Sequence, residues 1–171
     1  MSFSRKFGHI DVLINNAGIA HVAPEAGKST RFVYESILGT NVMGTVSVTE
    51  QFLPLSAQSQ LVKRIGFVSS GIGSMANWAN PGSLTRTFKA PAYAVSKSAV
   101  NAVCLQYAVA YEQDKSWKFN CCCPGYCATN LNKYSRKDSP ESGAEIICRL
   151  ATLEQDGSTG TFWNVEGPTP W

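Results

Sequence analysis

Four short apolar runs, Ile10 to Asn15, Ile65 to Ser69, Phe119 to Cys123 and Thr161 to Asn164, recur along the chain. Long stretches of helical periodicity separate the first three. Strands alternating with helices in this rhythm make βαβ units, and βαβ units make a parallel sheet, so the expected fold class is α/β with a doubly wound, Rossmann-like sheet. Two long helices are expected, from Arg31 to about Leu53 and from Ala92 to about Tyr111. A shorter one opens after Ser139, with Pro140 in its first turn, and runs towards Gly157. The first apolar run stops at Asn15, Asn16 and Gly18, as a buried strand does on entering a turn. No repeat, low-complexity tract or linker interrupts the pattern, and 171 residues with 44% hydrophobic side chains suffice for one core, so residues 1–171 read as a single domain.

Composition excludes several function classes. The net charge is +3, and Lys and Arg are scattered, which leaves no basic stripe for nucleic acid and no cationic amphipathic helix for a membrane surface. No apolar run approaches the length of a membrane span, and "MSFSRKFGHI" lacks the apolar core of a signal peptide, so a cytoplasmic protein is expected. Six cysteines raise the question of metal or disulfides. Cys121, Cys122 and Cys123 are consecutive, and strand alternation sends neighbours to opposite faces. Cys104, Cys127 and Cys148 show no zinc-ligand spacing, and neither His9 nor His21 completes a set. The expectation is buried, reduced thiols and no metal.

Two motifs offer chemistry. "FVSSGIGSMA" satisfies the letter of G-x-G-x-x-A at Gly71, Gly73 and Ala76, but the following "NWANPGS" breaks helices and no acid occurs between Gly73 and Glu112. A tight glycine turn is the better reading. "YAVSK" places Tyr93 and Lys97 four apart on one helix face, where an ammonium can stabilise a tyrosinate and lower the phenol's pKa. Tyr111 and Lys115 repeat that spacing at the charged end "YEQDK", which reads as solvated surface.

"NNAG" at Asn15 to Gly18, Asn41 in "TNVMGT", Ser70 in "FVSSGIG", "YAVSK" at Tyr93 to Lys97 and "PGYCAT" at Pro124 to Thr129 come in one order. In that order the chain resembles the short-chain dehydrogenases/reductases from about Phe7 to Trp171, and its ending resembles carbonyl-reductase-like members. The resemblance implies an NAD- or NADP-dependent oxidoreductase acting on a small carbonyl or alcohol substrate. It makes Tyr93 the general acid/base, with Lys97 lowering its pKa and holding the nicotinamide ribose. Ser70 would be a second donor to the substrate oxygen, and Asn41 the helix asparagine that seats a relay water. Asn15, Ala17 and Gly18 would line the adenosine side of the cofactor, and Pro124, Gly125, Cys127 and Thr129 the nicotinamide.

Within that family "NNAG" ends the fourth strand, so the resemblance implies strands four to seven with their helices, about the C-terminal two thirds of the fold, without the glycine-rich turn. Weak or absent dinucleotide binding by these residues alone is therefore expected. A cofactor-independent dehydratase, isomerase or cyclase, or a binding protein derived from the fold, stays open beside the oxidoreductase. Association into a homo-oligomer is expected, through the edge of the first strand and through the two long helices, as is common in the family. Ser70 and Tyr93 lie 23 positions apart, farther than in the family's common form. The intervening segment either folds over the substrate mouth or forms a surface insertion.

Overall fold

The computed structural model describes residues 6–20, 28–135 and 139–171. The chain forms β1 (Val12–Asn15), α1 (Thr30–Leu38) and α2 (Thr45–Ser56), β2 (Lys63–Val68), a short α3 (Met75–Ala79), α4 (Pro91–Ala110), β3 (Trp117–Cys122), α5 (Pro140–Ala151), β4 (Thr161–Asn164) and β5 (Gly167–Pro168). The sheet order is β1-β2-β3-β4-β5. The first four strands run parallel, with Leu13 opposite Ile65, Ile65 opposite Phe119 and Cys121 opposite Phe162. This confirms the α/β class and the parallel sheet read from the strand rhythm. β1 stands at the edge of the sheet, with Val12 exposed.

Local chemistry sets the boundaries. The Ser29 side chain accepts the Phe32 N–H and opens α1, and Ser139 does the same for the Ser142 N–H at the start of α5. Between α1 and α2 the chain does not break but widens into a π-helical turn, Gly39–Gly44, bracketed by two glycines and carrying the buried Asn41. Helix α5 ends at Ala151, short of the expected Gly157. Thr152 turns its hydroxyl back to the Cys148 carbonyl, while Arg64 Nε (2.7 Å) and Lys118 Nζ (2.7 Å) capture the carbonyls of Leu153 and Gly157. Cations on β2 and β3 thus draw that segment out of helix. β5 carries no apolar signal. Asn164 Oδ1 makes it by accepting the N–H groups of Glu166 and Gly167, both at 2.9 Å, which closes a hairpin antiparallel to β4.

Both faces of the sheet are covered. On one side Ile65, Phe67, Phe119 and Cys121 pack with Leu53, Val100 and Cys104 from α2 and α4. On the other, Val68 and Cys122 meet Ile146 and Leu150 of α5. Successive cysteines of β3 therefore serve opposite layers, and no disulfide joins any of the six. Phe119 is the hub of the first layer, with the rings of Tyr111, Trp117 and Tyr107 at 5.3, 5.5 and 5.7 Å. Tyr111 is consequently not the solvated residue its charged neighbours suggest. It ends α4, and its ring lies 4.6 Å from Trp117, while Lys115 bonds the Glu112 carbonyl instead.

Removing the hub should leave a cavity that three rigid rings fill poorly. Phe119→Ala is expected to cost about 3–5 kcal/mol in urea unfolding, against about 0.5 kcal/mol or less for Val109→Ala on the exposed side of α4. Equal losses would contradict the layer assignment.

Candidate active site

Parallel strands release their loops at one edge, and ligands of open α/β sheets bind there. β2 ends at Val68 and turns through Ser69 and Ser70, and β3 ends one residue before Cys123. Helix α4 packs beside both strand ends and presents Tyr93 and Lys97 from successive turns. Lys97 Nζ donates to the Val68 carbonyl at 2.8 Å and lies 5.5 Å from the centre of the Tyr93 ring. The Ser70 side chain is hydrogen-bonded to Tyr93. Ser69, only 2% exposed, faces away from it and donates to Asn101 Oδ1 (2.6 Å) and towards the Lys97 carbonyl (3.3 Å). The structure therefore brings together Ser70, Tyr93 and Lys97, and it separates the two serines by role.

Asn41 is 1% exposed and acts as a clamp. Its Oδ1 accepts the Ile19 N–H (2.8 Å), and its Nδ2 donates to the Ile19 carbonyl (2.9 Å) and to Ser96 Oγ (2.9 Å). Both amide protons are engaged, so the side chain ties the segment after Gly18 to α4 rather than offering a donor to water. Gly18 packs closely against that clamp. A Cβ there would stand 3.3 Å from Asn41 Oδ1 and 3.5 Å from Lys97 Nζ.

The remaining residues expected at a cofactor use their side chains elsewhere. Asn15 Nδ2 donates to Thr49 Oγ1 of α2 at 3.0 Å, inside the core. Cys127 Sγ donates to the Pro124 carbonyl at 3.1 Å and abuts Gly143 of α5, where a Cβ would overlap it. Thr129 caps the turn Asn130–Asn132, its side chain accepting the Asn132 N–H while Asn132 Oδ1 accepts the Thr129 N–H. Gly125 takes φ +82°, a left-handed conformation that suits glycine. In this segment, and at Asn15, backbone groups rather than side chains are left to meet a ligand. Ala17 and Gly18 lie at the strand end beside the Lys97 ammonium.

Burial governs the electrostatics. It pushes the Tyr93 phenol up to about 12, helped by nearby Cys123 and opposed by the bond to Ser70. It pulls the Lys97 ammonium down to about 8, with the thiols of Cys121, Cys122 and Cys123 opposing that fall. The expectation of a phenol lowered by its lysine is corrected. The ammonium sits over the ring side, at 5.5 Å, and desolvation of the hydroxyl outweighs it. At neutral pH both groups hold their protons, so the pair is an acid rather than a base. Among the described residues, the one hydrogen bond of the Lys97 ammonium is to Val68, which leaves two of its N–H donors beside the side-chain-free Gly18. That donor set fits vicinal hydroxyls such as those of a ribose.

The segment between Ser70 and Tyr93 packs partly on itself and partly across the strand ends. Gly73 fits against α4 so tightly that a Cβ would fall 2.7 Å from the Lys97 carbonyl carbon, the reason for glycine in this turn. Trp78 Nε1 donates to the Ile72 carbonyl (2.6 Å), and Phe88 meets Tyr126 edge to face at 6.0 Å. A shallow cavity of about 300 Å³ adjoins Tyr93, lined by Ala20, Tyr34 and Ile37 on one side and Lys89 and Ala92 on the other. Among the described residues no group of three His, Cys, Asp or Glu side chains could hold a metal, and His21 lies outside them. No helix of the described residues is long and apolar enough to cross a membrane. The sequence offered no direct sign of Ser96 or Asn101. Asn101 lies four positions after Lys97, the helical spacing that already linked Lys97 to Tyr93.

A buried ammonium that a ligand would use should cost stability. With its pKa lowered in the fold, Lys97 binds fewer protons folded than unfolded between about 8 and 10.5, so its penalty is full below 8 and fades as pH rises to 10.5. Lys97→Met is expected to be more stable than the parent at pH 7, by about 1–3 kcal/mol, and the gap to close as urea unfolding is repeated towards pH 10. A variant less stable at pH 7 would contradict the burial.

The geometry has counterparts among known proteins. The short chain dehydrogenase family profile matches residues 2–140. The short-chain dehydrogenase anuI of Penicillium roqueforti is 35% identical over 150 residues, covering 86% of this chain and 59% of the relative. The short-chain dehydrogenase/reductase ATR10 of Stachybotrys chlorohalonatus is 34% identical over 175 residues, 95% of this chain and 61% of its own length. This chain thus spans about three fifths of these curated relatives. Among solved structures, salutaridine reductase from Papaver somniferum superposes with a TM-score of 0.74 at 27% identity, over 93% of this chain and 74% of that one. An NADPH-bound carbonyl reductase from chicken fatty liver shares the fold, with a TM-score of 0.75 at 24% identity over 95% of this chain and 66% of that one. With the family profile matching most of its length and the Ser70, Tyr93 and Lys97 cluster at the strand ends, the chain belongs to the short-chain dehydrogenase/reductase family, an oxidoreductase family.

Proposed function

We propose that this chain is the substrate-side part, within a single domain, of an NAD(P)-dependent oxidoreductase that interconverts a small carbonyl compound and its alcohol. The observation that carries the reading is the meeting of Ser70, Tyr93 and Lys97 at the ends of β2 and β3. The names of the curated relatives and the nicotinamide cofactor of the chicken carbonyl reductase support it.

A bound nicotinamide dinucleotide supplies hydride in such chemistry. Lys97, with two donors left over from Val68, is the residue that would hold its ribose, and Ala17, Gly18 and the backbone of Pro124 and Gly125 would border it. The Ser70 side chain lies at the Tyr93 hydroxyl, so a substrate oxygen placed between the two would accept two hydrogen bonds as negative charge develops on it. The phenol then gives its proton to that oxygen. Holding the proton at pH 7, it is poised for the reductive direction. The cavity next to Tyr93, lined mainly by alanines and aromatic and aliphatic side chains with Lys89 and Thr30 among them, suits a carbonyl compound with an apolar part. Copies are proposed to associate through the β1 edge and the two long helices, in the cytoplasm.

In the protein carrying this chain, Tyr93→Phe is expected to lower NAD(P)H-dependent carbonyl reduction about 10²- to 10⁴-fold with folding intact, whereas Tyr111→Phe, which keeps its core ring, has almost no effect. Reduction should fall as pH rises through about 8, where Lys97 loses its proton. Equal activity of Tyr93→Phe and parent, or turnover indifferent to added NADPH and NADH, would defeat the proposal. Calorimetric titration of the 171-residue chain by itself with either dinucleotide is expected to show no tight complex, because its G-x-G turn is buried against α4 and supplies no pyrophosphate cradle. A tight complex would show that another part of the chain provides one.

A further inference from the structure

The turn that carries Ser70 is gripped by side chains outside the Ser70, Tyr93 and Lys97 set. On its helix side, Asn101 is 5% exposed, its Oδ1 accepting the Ser69 hydroxyl at 2.6 Å and its Nδ2 donating to the Gly73 carbonyl at 3.2 Å. Ser98 Oγ reaches the same Gly73 carbonyl at 2.9 Å. On the sheet side, the Gly71 N–H donates to Cys123 Sγ at 3.1 Å. Asn101 therefore holds the residue before Ser70 and the third residue after it.

A carboxamide in a packed interface is costly unless its groups are paired, and a leucine of similar volume would fill the space more cheaply if packing were the only demand. What the amide adds is a two-point attachment of a three-residue 3₁₀ turn, Gly71–Gly73, a structure with little stability of its own. Tyr93, Lys97 and Asn101 follow one another at four-residue intervals, so one rigid helix face carries the proton donor, the cation and the grip on the opposing hydroxyl. We propose that Asn101 is a positioning residue, fixing the Ser69–Gly73 turn so that the Ser70 hydroxyl meets that of Tyr93. A misplacement of about 1 Å in such a pair is worth about 10²-fold in rate. The kinetic consequence rests on the oxidoreductase reading, while the grip itself does not.

The test uses the protein carrying this chain, as parent, Asn101→Leu, Ser69→Ala, Ser70→Ala and the Asn101→Leu/Ser70→Ala double variant. Hydrogen exchange reads the amides of Gly73 and Ser74, which donate to Ser70 and Gly71 carbonyls at 2.8 and 3.2 Å. Asn101→Leu is expected to speed their exchange about tenfold or more while the amides in the middle of α4 keep their protection. With 1-phenylpropane-1,2-dione and NADPH as probes, kcat should fall about 10- to 100-fold with KM changed by less than about twofold, and in the Ser70→Ala background the same change should cost less than about twofold more. Ser69→Ala, which removes only a hydroxyl, should act in the same direction and serves if Asn101→Leu does not fold. Unchanged exchange at Gly73 and Ser74, or a full kcat loss from Asn101→Leu on top of Ser70→Ala, overturns the proposal. A parent that consumes neither nicotinamide cofactor counts against the oxidoreductase reading instead, and exchange then decides on Asn101.

Discussion

The Lys97 ammonium, buried and bonded to the carbonyl that ends β2, is the interaction on which the arrangement of the strand ends depends. Burying a cation in this way is costly, and one neutral carbonyl offsets only part of the cost. The fold accepts the remainder because the surroundings are built closely around the helix that carries it. Gly73 lies against the Lys97 backbone and Gly18 against its nitrogen, each where a Cβ would collide or crowd. Asn41 fastens the Gly18 segment to Ser96, the residue before Lys97. The rotation of α4 about its axis is thereby set, and with it the direction of Tyr93.

The sheet supplies the other half of the geometry. Two adjacent parallel strands end side by side, so the turn after β2 and the segment after β3 leave from one edge, and Gly71 reaches Cys123 between them. The same strands explain the cysteines. Cys121 faces the α4 layer and Cys122 the α5 layer, while Cys123, just past the strand, belongs to the rim of the site. The two layers differ in what they do: aromatic rings around Phe119 hold α4 rigidly against the sheet, and the smaller cluster under α5 supports the segment from Pro124 to Asn132 through Gly143 and Cys127.

Much of this was legible in the residues, and the exceptions have physical causes. The strands were readable because each is a short apolar run, and the long helices because their apolar positions recur at helical spacing. β5 was not, since two residues closed by an Asn164 side chain leave no periodic trace. Nor was the end of α5 at Ala151, where Arg64 and Lys118, distant in sequence, decide the outcome. Of the site, the four-residue spacing of Tyr93 and Lys97 was visible, but its electrostatic sign was not, because spacing carries no information on desolvation. Ser69 and Ser70 are alike in sequence, and only their contacts tell them apart: Ser70 meets the phenol, and Ser69 an asparagine inside. Tyr111 misled for the opposite reason, as its charged neighbours in sequence are not its neighbours in space.

The arrangement of the strand ends depends on the burial of one ammonium, and that can be read without substrate or cofactor. Lysine side-chain NMR, with the Lys97 signal assigned by its loss in Lys97→Met, would follow its ionisation directly in the folded chain. Titration centred near 8 is the result this structure predicts. Titration near the ordinary 10.5 would mean an ammonium in water, an α4 turned away from the end of β2, and no pocket of the kind described.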